Sequence, residues 1–341
     1  MRHNNEIIIS QEDFNSLAVY WADPGINLRW DLVFTLPAWL KVWWYNFGSG
    51  AELYLRAVRQ RGKIIGIAPL QIRDGQASII GSTNVCDYQD FVIAPGMESD
   101  FFDAVISDLC QQGIKSLDLE PLRPDSAVST HLIPLAQQRH YQINYHQVDV
   151  SLDIELPQSW DEYLKMLDRK QRHELRRKLR NLQEMGDINY RVVEDKSAIA
   201  EAMNVFLELF PEARQDKAEF MTPPMQAFFV SLTEALAEIG VMKLGILEHG
   251  KKPIAMVMYF DYNGNIYLYN SAYDPDYRSL SAGLISKVRC IQDGIQKGKG
   301  KFDFLKGNEK YKYSLRGKEI PLYSCQITIQ QDMKFHLADN K

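Results

Sequence analysis

The sequence predicts two tandem α+β units, each a twisted mixed sheet with helices on its faces. Three observations carry this expectation. The chain has 341 residues, 45% of them hydrophobic, which exceeds one ordinary core and suits two of about 150 residues each. A strand-turn-strand pattern around Gly62, LYLRAVRQRGKIIGIAPLQI, recurs around Gly250 as MKLGILEHGKKPIAMVMYFD. Each copy is followed by a helix and a similar strand, QQGIKSLDLEPL in the first half and IQKGKGKFDFLKG in the second, so that Asp118 and Asp303 hold matching strand positions. The expected division is 1–150 and 151–341.

In chain order, the opening MRHNNEIIIS has an apolar run far too short for a secretory core, and no later stretch approaches the ~18 apolar residues of a membrane span, so a cytoplasmic protein is expected. Trp39, Trp43 and Phe47 recur at four-residue spacing beside Leu36 and Leu40, the pattern of a buried helix face. The hairpin at Gly62 is expected to close on a Gly-Lys turn. In NVCDYQDFV, the residues Asp87, Tyr88 and Asp90 precede an apolar strand; they cap a turn or hold a substrate amine. Glu98, Asp100 and Asp103 then crowd the start of the first unit's helix, where they would repel an anion. Cys86, Cys110, Cys290 and Cys325 lie far apart without a C-x-x-C pair, and no histidine falls at ligand spacing beside them. The expectation is buried reduced thiols and no metal.

Charge is distributed unevenly. Residues 1–150 hold 11 Lys/Arg against 17 Asp/Glu, whereas Lys165 to Arg180 alone carries eight cations and two anions. This basic segment is predicted to be one helix over about 160–185. Ser159 and Glu162 have capping-box spacing, Trp160, Leu164, Leu167, Leu175, Leu179 and Leu182 form an apolar stripe, and Gly186 stops it. Lys165, Arg169, Arg172, Arg176 and Arg180 step along a second stripe without evident acidic partners one turn away. That face is either simply solvated or a rail for an anionic substrate. Double-stranded DNA is disfavoured by the overall charge of −5.

Taken together, LPAWLKVWWYNFG, GIAPL, DYQDFVIAPG, RKQRHELRRKLRNLQEMG, YDPDYRSLSAGLI and FDFLKGNEKYKYSL resemble the CelD/BioF2-like acetyltransferases of the GNAT superfamily. Those are similar in turn to the Fem-type peptidoglycan aminoacyltransferases, which have two GNAT-like domains. The resemblance covers about residues 30–325. It implies tandem GNAT-like domains, with acyl-CoA, such as acetyl-CoA, as cosubstrate and no metal. The implied acceptor is an amine, on a phosphorylated or lipid-linked sugar among other envelope molecules, and the protein is expected to touch the inner membrane face peripherally.

In that family Arg/Gln-x-x-Gly-x-Gly/Ala, between a strand and a helix, presents free N–H groups and the helix dipole to a pyrophosphate. Here the string is Arg278-Ser279-Leu280-Ser281-Ala282-Gly283, with serine at the first glycine. Ser281 is expected to lend its N–H and cap the helix with its hydroxyl, Gly283 to permit close approach, and Arg278 to supply charge. The first unit has no such string, which assigns the donor to the second. Acyl transfer needs a base for the amine and a proton for the leaving thiolate. DFLKGNEKYK offers Asp303 and Glu309 as bases and Tyr311 as general acid. Lys312 is expected as a cofactor partner, and Lys306, Arg172 and Arg176, with Asp87, Tyr88 and Asp90, as substrate contacts. An acyl-CoA-dependent N-acyltransferase, an aminoacyl-tRNA-dependent ligase of Fem type and a non-catalytic partner of a polysaccharide-synthesis complex all remain open at this point.

Overall fold

A computed structural model describes residues 7–213 and 215–329. The chain divides into two compact units, the described parts of Met1–Asp149 with Pro321–Lys341, and Val150–Ile320. Five strands of the first unit form a sheet in the order β1 (Ile7–Gln11), β2 (Glu52–Gln60), β3 (Lys63–Arg73), β4 (Gln76–Ile79) and β6 (Ser116–Leu122), with the short β5 (Val92–Ile93) on β3. All neighbours are antiparallel except β4 and β6, which are parallel and joined through α3 (Glu98–Gln111). Helices α1 (Phe14–Ala22) and α2 (Pro37–Phe47) precede the hairpin, and α4 (Ile133–Gln138) follows β6.

The β2–β3 turn is Arg61-Gly62, both with positive φ (52° and 76°), the pairing that matches the strands' right-handed twist. Lys63 therefore opens the strand rather than completing the turn. Trp39 and Trp43 are buried, and the Trp39 Nε1–H donates to Cys86 Sγ at 3.3 Å. Phe91, Phe101 and Phe102 meet edge to face with centroids 5.3–5.6 Å apart and anchor α3 to the sheet. Each such ring stabilises by about 2–3 kcal/mol through burial alone.

The second unit repeats the plan. Its sheet runs β8 (Ile188–Val193), β9 (Met242–His249), β10 (Lys252–Tyr262), β11 (Asn265–Tyr273), β12 (Lys301–Lys306) and the end of β7 (Gln142–Glu155). Again one pair is parallel, β11 with β12, joined through a helix, α10 (Ala282–Gln296). Helices α5 (Trp160–Met166), α6 (Arg169–Gln183), α7 (Lys196–Ala213), α8 (Gln215–Phe220) and α9 (Pro223–Glu238) come before β9, and α11 (Lys310–Ser314) follows β12. The last strand, β13 (Lys318–Thr328), pairs antiparallel with β6 of the first unit, as β7 pairs with β12. The two sheets thus share one strand order. The second unit stops at Ile320 rather than running on to 341, because Pro321–Thr328 completes the first sheet.

The expected helix over 160–185 is two helices. Leu167 turns extended (φ −69°, ψ 143°), and Asp168 then starts α6 with its own capping box, accepting from Gln171 N at 2.7 Å. Leu167 stays buried, so its place in the apolar stripe was read correctly while the backbone breaks beneath it. Ser159 caps α5 by accepting from Glu162 N at 3.2 Å, whereas Glu162 accepts from Gln158 N, one residue before the cap. Among the described residues no helix is long and apolar enough to cross a membrane. All four cysteines are free thiols.

Candidate functional site

The parallel strands of the second unit part early. β11 and β12 pair only at Asn265–Lys301, Ile266–Phe302 and Tyr267–Asp303, after which β11 runs on to Tyr273 and β12 to Lys306. Their pairing ends toward the carboxyl ends of parallel strands, where open α/β sheets receive ligands. Two connections leave the strands on that side, β11–α10 and β12–α11.

In the first, Asp274 is buried and accepts from Asp276 N at 3.0 Å and from Lys252 Nζ at 2.6 Å, which starts the 3₁₀ stretch Pro275–Leu280. Ser281 then adopts the left-handed conformation (φ 59°, ψ 34°), and its N–H returns to Arg278 O at 3.0 Å. The serine that replaces the customary glycine therefore occupies a glycine-type backbone, at roughly 1 kcal/mol of strain. Its hydroxyl makes no cap bond. The first bonds back along the helix come from Leu284 N and Ile285 N, both to Ser281 O, so the amides of Ala282 and Gly283 open α10 without backbone partners among the described residues. Arg278 and Ser279 are exposed beside them. A side chain at Gly283 would put its Cβ 2.8 Å from the Tyr273 ring. This glycine is thus required by helix packing on β11, a constraint on the cradle's frame rather than on its mouth.

The second segment departs from expectation at several residues. Asp303 is 2% exposed and accepts from Leu305 N at 2.8 Å, supporting a left-handed Leu305 (φ 61°). Such a bulge in a bulky residue stores strain that the aspartate offsets; Asp303 is a brace, and its burial removes it from reach as a base. Lys312 is 1% exposed, and its ammonium donates to the carbonyls of Leu305 (3.0 Å), Lys306 (2.6 Å) and Gly307 (3.0 Å) and meets Glu309 Oε2 at 2.9 Å. With every donor engaged, Lys312 locks the bulge and has no proton left for a phosphate. Glu309 is half-exposed and occupied by Lys312, and Lys306 is half-buried. Tyr311 is the residue of this segment that remains open. Its hydroxyl has no hydrogen-bond partner among the described residues, and burial followed by the charge of Glu309 pushes the phenol well above its ordinary value.

Sequence reasoning missed Lys287. It sits on α10 at 7% exposure, donates to Gly283 O at 2.7 Å, and places Nζ 5.0 Å from the centroid of the Tyr311 ring. Burial foremost, then the charge of Lys217 on α8, brings its ammonium down to about 7, against the pull of Glu309. The signal was present in the spacing: Leu284, Lys287, Ile291 and Ile295 form one apolar stripe of α10 with a lysine in it.

The basic helix lies beside the cradle, since Leu182 packs with Ala282 and Ile285 at the start of α10, and Leu179, Tyr277 and Leu280 adjoin them. Some of its cations do have partners. Glu174 pairs with Arg177 (2.7 Å) and Lys178 (3.7 Å), and Glu184 with Arg180 (3.8 Å). Arg172 turns back onto the end of α5, donating to Leu164 O at 3.3 Å, which holds it in place. Arg169, Lys170, Arg172, His173 and Arg176 line an open groove, and Arg169, Lys170 and Arg176 have no ion-pair partner among the described residues.

The first unit's expected contacts behave differently. Tyr88 is 1% exposed, under the Arg123 guanidinium (5.1 Å) and edge-on to Phe34 (5.9 Å), and belongs to the core. Asp90 accepts from Ala127 N (2.7 Å), Val128 N (3.3 Å) and Phe91 N (2.9 Å), so it anchors the start of the helical stretch Val128–Gln138. Those bonds match the first of its two expected roles, capping a turn, and burial raises its carboxyl to about 7. Asp87 is half-buried.

Among curated proteins none matches the chain. By fold the chain is similar to FemX (10% identity, TM-score 0.63, covering 93% of this chain and 96% of that one). It is also similar to a conserved protein of unknown function from Bacteroides thetaiotaomicron (11% identity, TM-score 0.61, 95% and 100%) and to L-PGS from Bacillus licheniformis (9% identity, TM-score 0.53, 86% and 91%). Residues 169–313, from the first residue of α6 into α11, match the family described as an acetyltransferase (GNAT) domain, so the second unit is similar to such a domain over most of its length.

Proposed function

We propose that the chain transfers an acyl group from acyl-CoA to an amine acceptor, with the donor held by the second unit. The observation that carries this is the start of α10: two amides without partners and an exposed arginine, at the mouth of a parted parallel pair, in the segment that matches a GNAT acetyltransferase domain. Charge-assisted hydrogen bonds from those amides and Arg278 would hold a pyrophosphate. Transfer then needs an acid for the leaving thiolate, and Tyr311 has the free hydroxyl. Glu309 is half-exposed beside it and serves as the base for the acceptor ammonium once Lys312 shares its charge. Thermal stabilisation by CoA tests the donor directly, compared with an aminoacyl-tRNA and with no ligand. A shift with CoA alone supports this reading; a shift with the aminoacyl-tRNA alone replaces it.

The unpaired cations of α6 favour a second reading, a Fem-type ligase that uses aminoacyl-tRNA, and the likeness in fold to FemX keeps it in view. Under the first reading the same groove receives a phosphorylated or lipid-linked acceptor, and the cell envelope is the setting in which such acceptors are built upon. Reversing Arg169 and Arg176 to Glu should weaken binding of the phosphate-bearing partner and flatten its salt dependence in either case.

A further inference from the structure

A tyrosine that gives its proton to a thiolate becomes a phenolate, and a buried phenolate is costly unless a cation faces it. Tyr311 lies in such a place. Of the two lysines that flank it in sequence, Lys310 is exposed and Lys312 is turned away onto the carbonyls of Leu305, Lys306 and Gly307. Lys287 is instead over the phenol ring, 5.0 Å from its centroid, and fixed there by one hydrogen bond to Gly283 O. Two of its three N–H donors have no acceptor among the described residues, an unusual state for a buried ammonium.

We propose that Lys287 is a positioning residue for Tyr311, its ammonium stabilising the phenolate that forms when Tyr311 protonates the departing thiolate. This rests on the reading of Tyr311 as the acid. In the step, the amine nitrogen bonds to the thioester carbonyl carbon, the carbon–sulfur bond breaks, and the phenol proton goes to sulfur. The proton shed by the nitrogen passes through Glu309 or solvent back to the phenolate, leaving the enzyme unchanged. Because Gly283 O anchors Lys287, the helix turn that opens the donor cradle also sets the charge on the acid.

The groups facing Lys287 are Lys217 from α8, Glu309, Tyr311 and Lys312 from the α11 segment, and Cys290 from its own helix. Burial foremost, then Lys217 and Lys312, disfavours its charge, while Glu309 and Cys290 favour it; with the ammonium brought down to about 7, its help should fade as pH rises.

A double-mutant cycle tests this in the full chain, with acetyl-CoA and a primary-amine acceptor for which the wild type turns over. Lys287→Met should lower kcat by at least tenfold with CoA affinity nearly unchanged, and should lower it less than twofold in a Tyr311→Phe background. Equal losses in both backgrounds, or no loss in either, would overturn the proposal. If Tyr311→Phe alone leaves kcat intact, it is the reading of the acid that fails. Should Lys287→Met not fold, the pH profiles of wild type and Tyr311→Phe decide: a fall in kcat above about pH 7 is expected in the first and absent in the second, and the same fall in both refutes the coupling.

Discussion

Helices α3 and α10 hold the same place in their units, each leading into the second strand of the parallel pair, yet their first turns are opposites. In α3 the opening positions carry Glu98 and Asp100, Glu98 accepts from Gly96 N at 3.2 Å, and Asp100 accepts from Gln60 Nε2 at 2.7 Å. The helix dipole is thus satisfied from within. In α10 no acid stands in the first turn, the amides of Ala282 and Gly283 are open, and Arg278 waits alongside. The sixth residues differ as well. Asp103 of α3 is half-exposed and paired with Arg139, whereas Lys287 of α10 is buried. Under the proposed reading, the duplicated fold assigns its donor site to one copy by changing a few side chains at one helix end, without altering strand order.

The largest expected effect concerns those sixth residues. Lys287 has its folded pKa lowered from 10.5 to about 7, so between these values the unfolded chain binds more protons than the folded one. The penalty is complete below pH 7 and disappears as pH rises towards 10.5. Lys287→Met should accordingly be more stable than wild type at pH 7 by on the order of 2–4 kcal/mol, with the gain shrinking at higher pH, while Asp103→Asn changes stability by only about 0.5 kcal/mol. Denaturant titrations at pH 7 and 9 check this; parallel pH slopes for Lys287→Met and wild type would contradict it. Next comes Gly283→Val. It drives a side chain into Tyr273, and should cost about 2 kcal/mol of stability and about 100-fold in CoA affinity by calorimetry.

Smaller changes sharpen the contrast between the helix ends. Arg278→Ala should weaken CoA about tenfold without moving the melting temperature, because the side chain is exposed and the lost contact is a charge-assisted hydrogen bond. The double change Glu98→Gln with Asp100→Asn should leave CoA binding at one per chain; a second equivalent bound would show that charge alone had silenced α3. Ser281→Gly should have the least effect. It relieves the left-handed strain but loosens the unfolded chain, two opposing effects of about 1 kcal/mol each, so melting and CoA affinity should both stay close to wild type.

The duplicated fold was legible because its marks are local: Gly62 and Gly250 at the hairpins, the alternation in the strands, and the carboxylates of Glu98 and Asp100 at one helix start but not the other. Legibility stopped where the deciding partner is distant or the backbone departs from its pattern. Leu167 fits a helical stripe by its side chain and breaks the helix by its ψ. The arrest of Lys312 depends on three carbonyls gathered by a left-handed Leu305, and no residue type at 305 announces that. Asp90 looks like a ligand residue until Ala127 and Val128 arrive from 37 and 38 residues away. The strand-to-helix junction from Arg278 to Gly283 was readable as a candidate anion cradle, although the conformation of Ser281 was not.

The strand β13 has a consequence for how the protein is made. Leu119 on β6 pairs with Cys325, and Asp118 with Gln326, so the first sheet is completed by residues more than 200 positions later in the chain. During synthesis the ribosome delivers residues 1–149 first, and must then deliver the whole of Val150–Ile320 before the closing strand emerges. The second unit can condense as an unbroken segment while the first waits with one side of β6 bare, an edge open to pairing with another chain. Closure of the first sheet therefore comes only after every residue of the second unit has been made, although the first unit's other strands are translated before it.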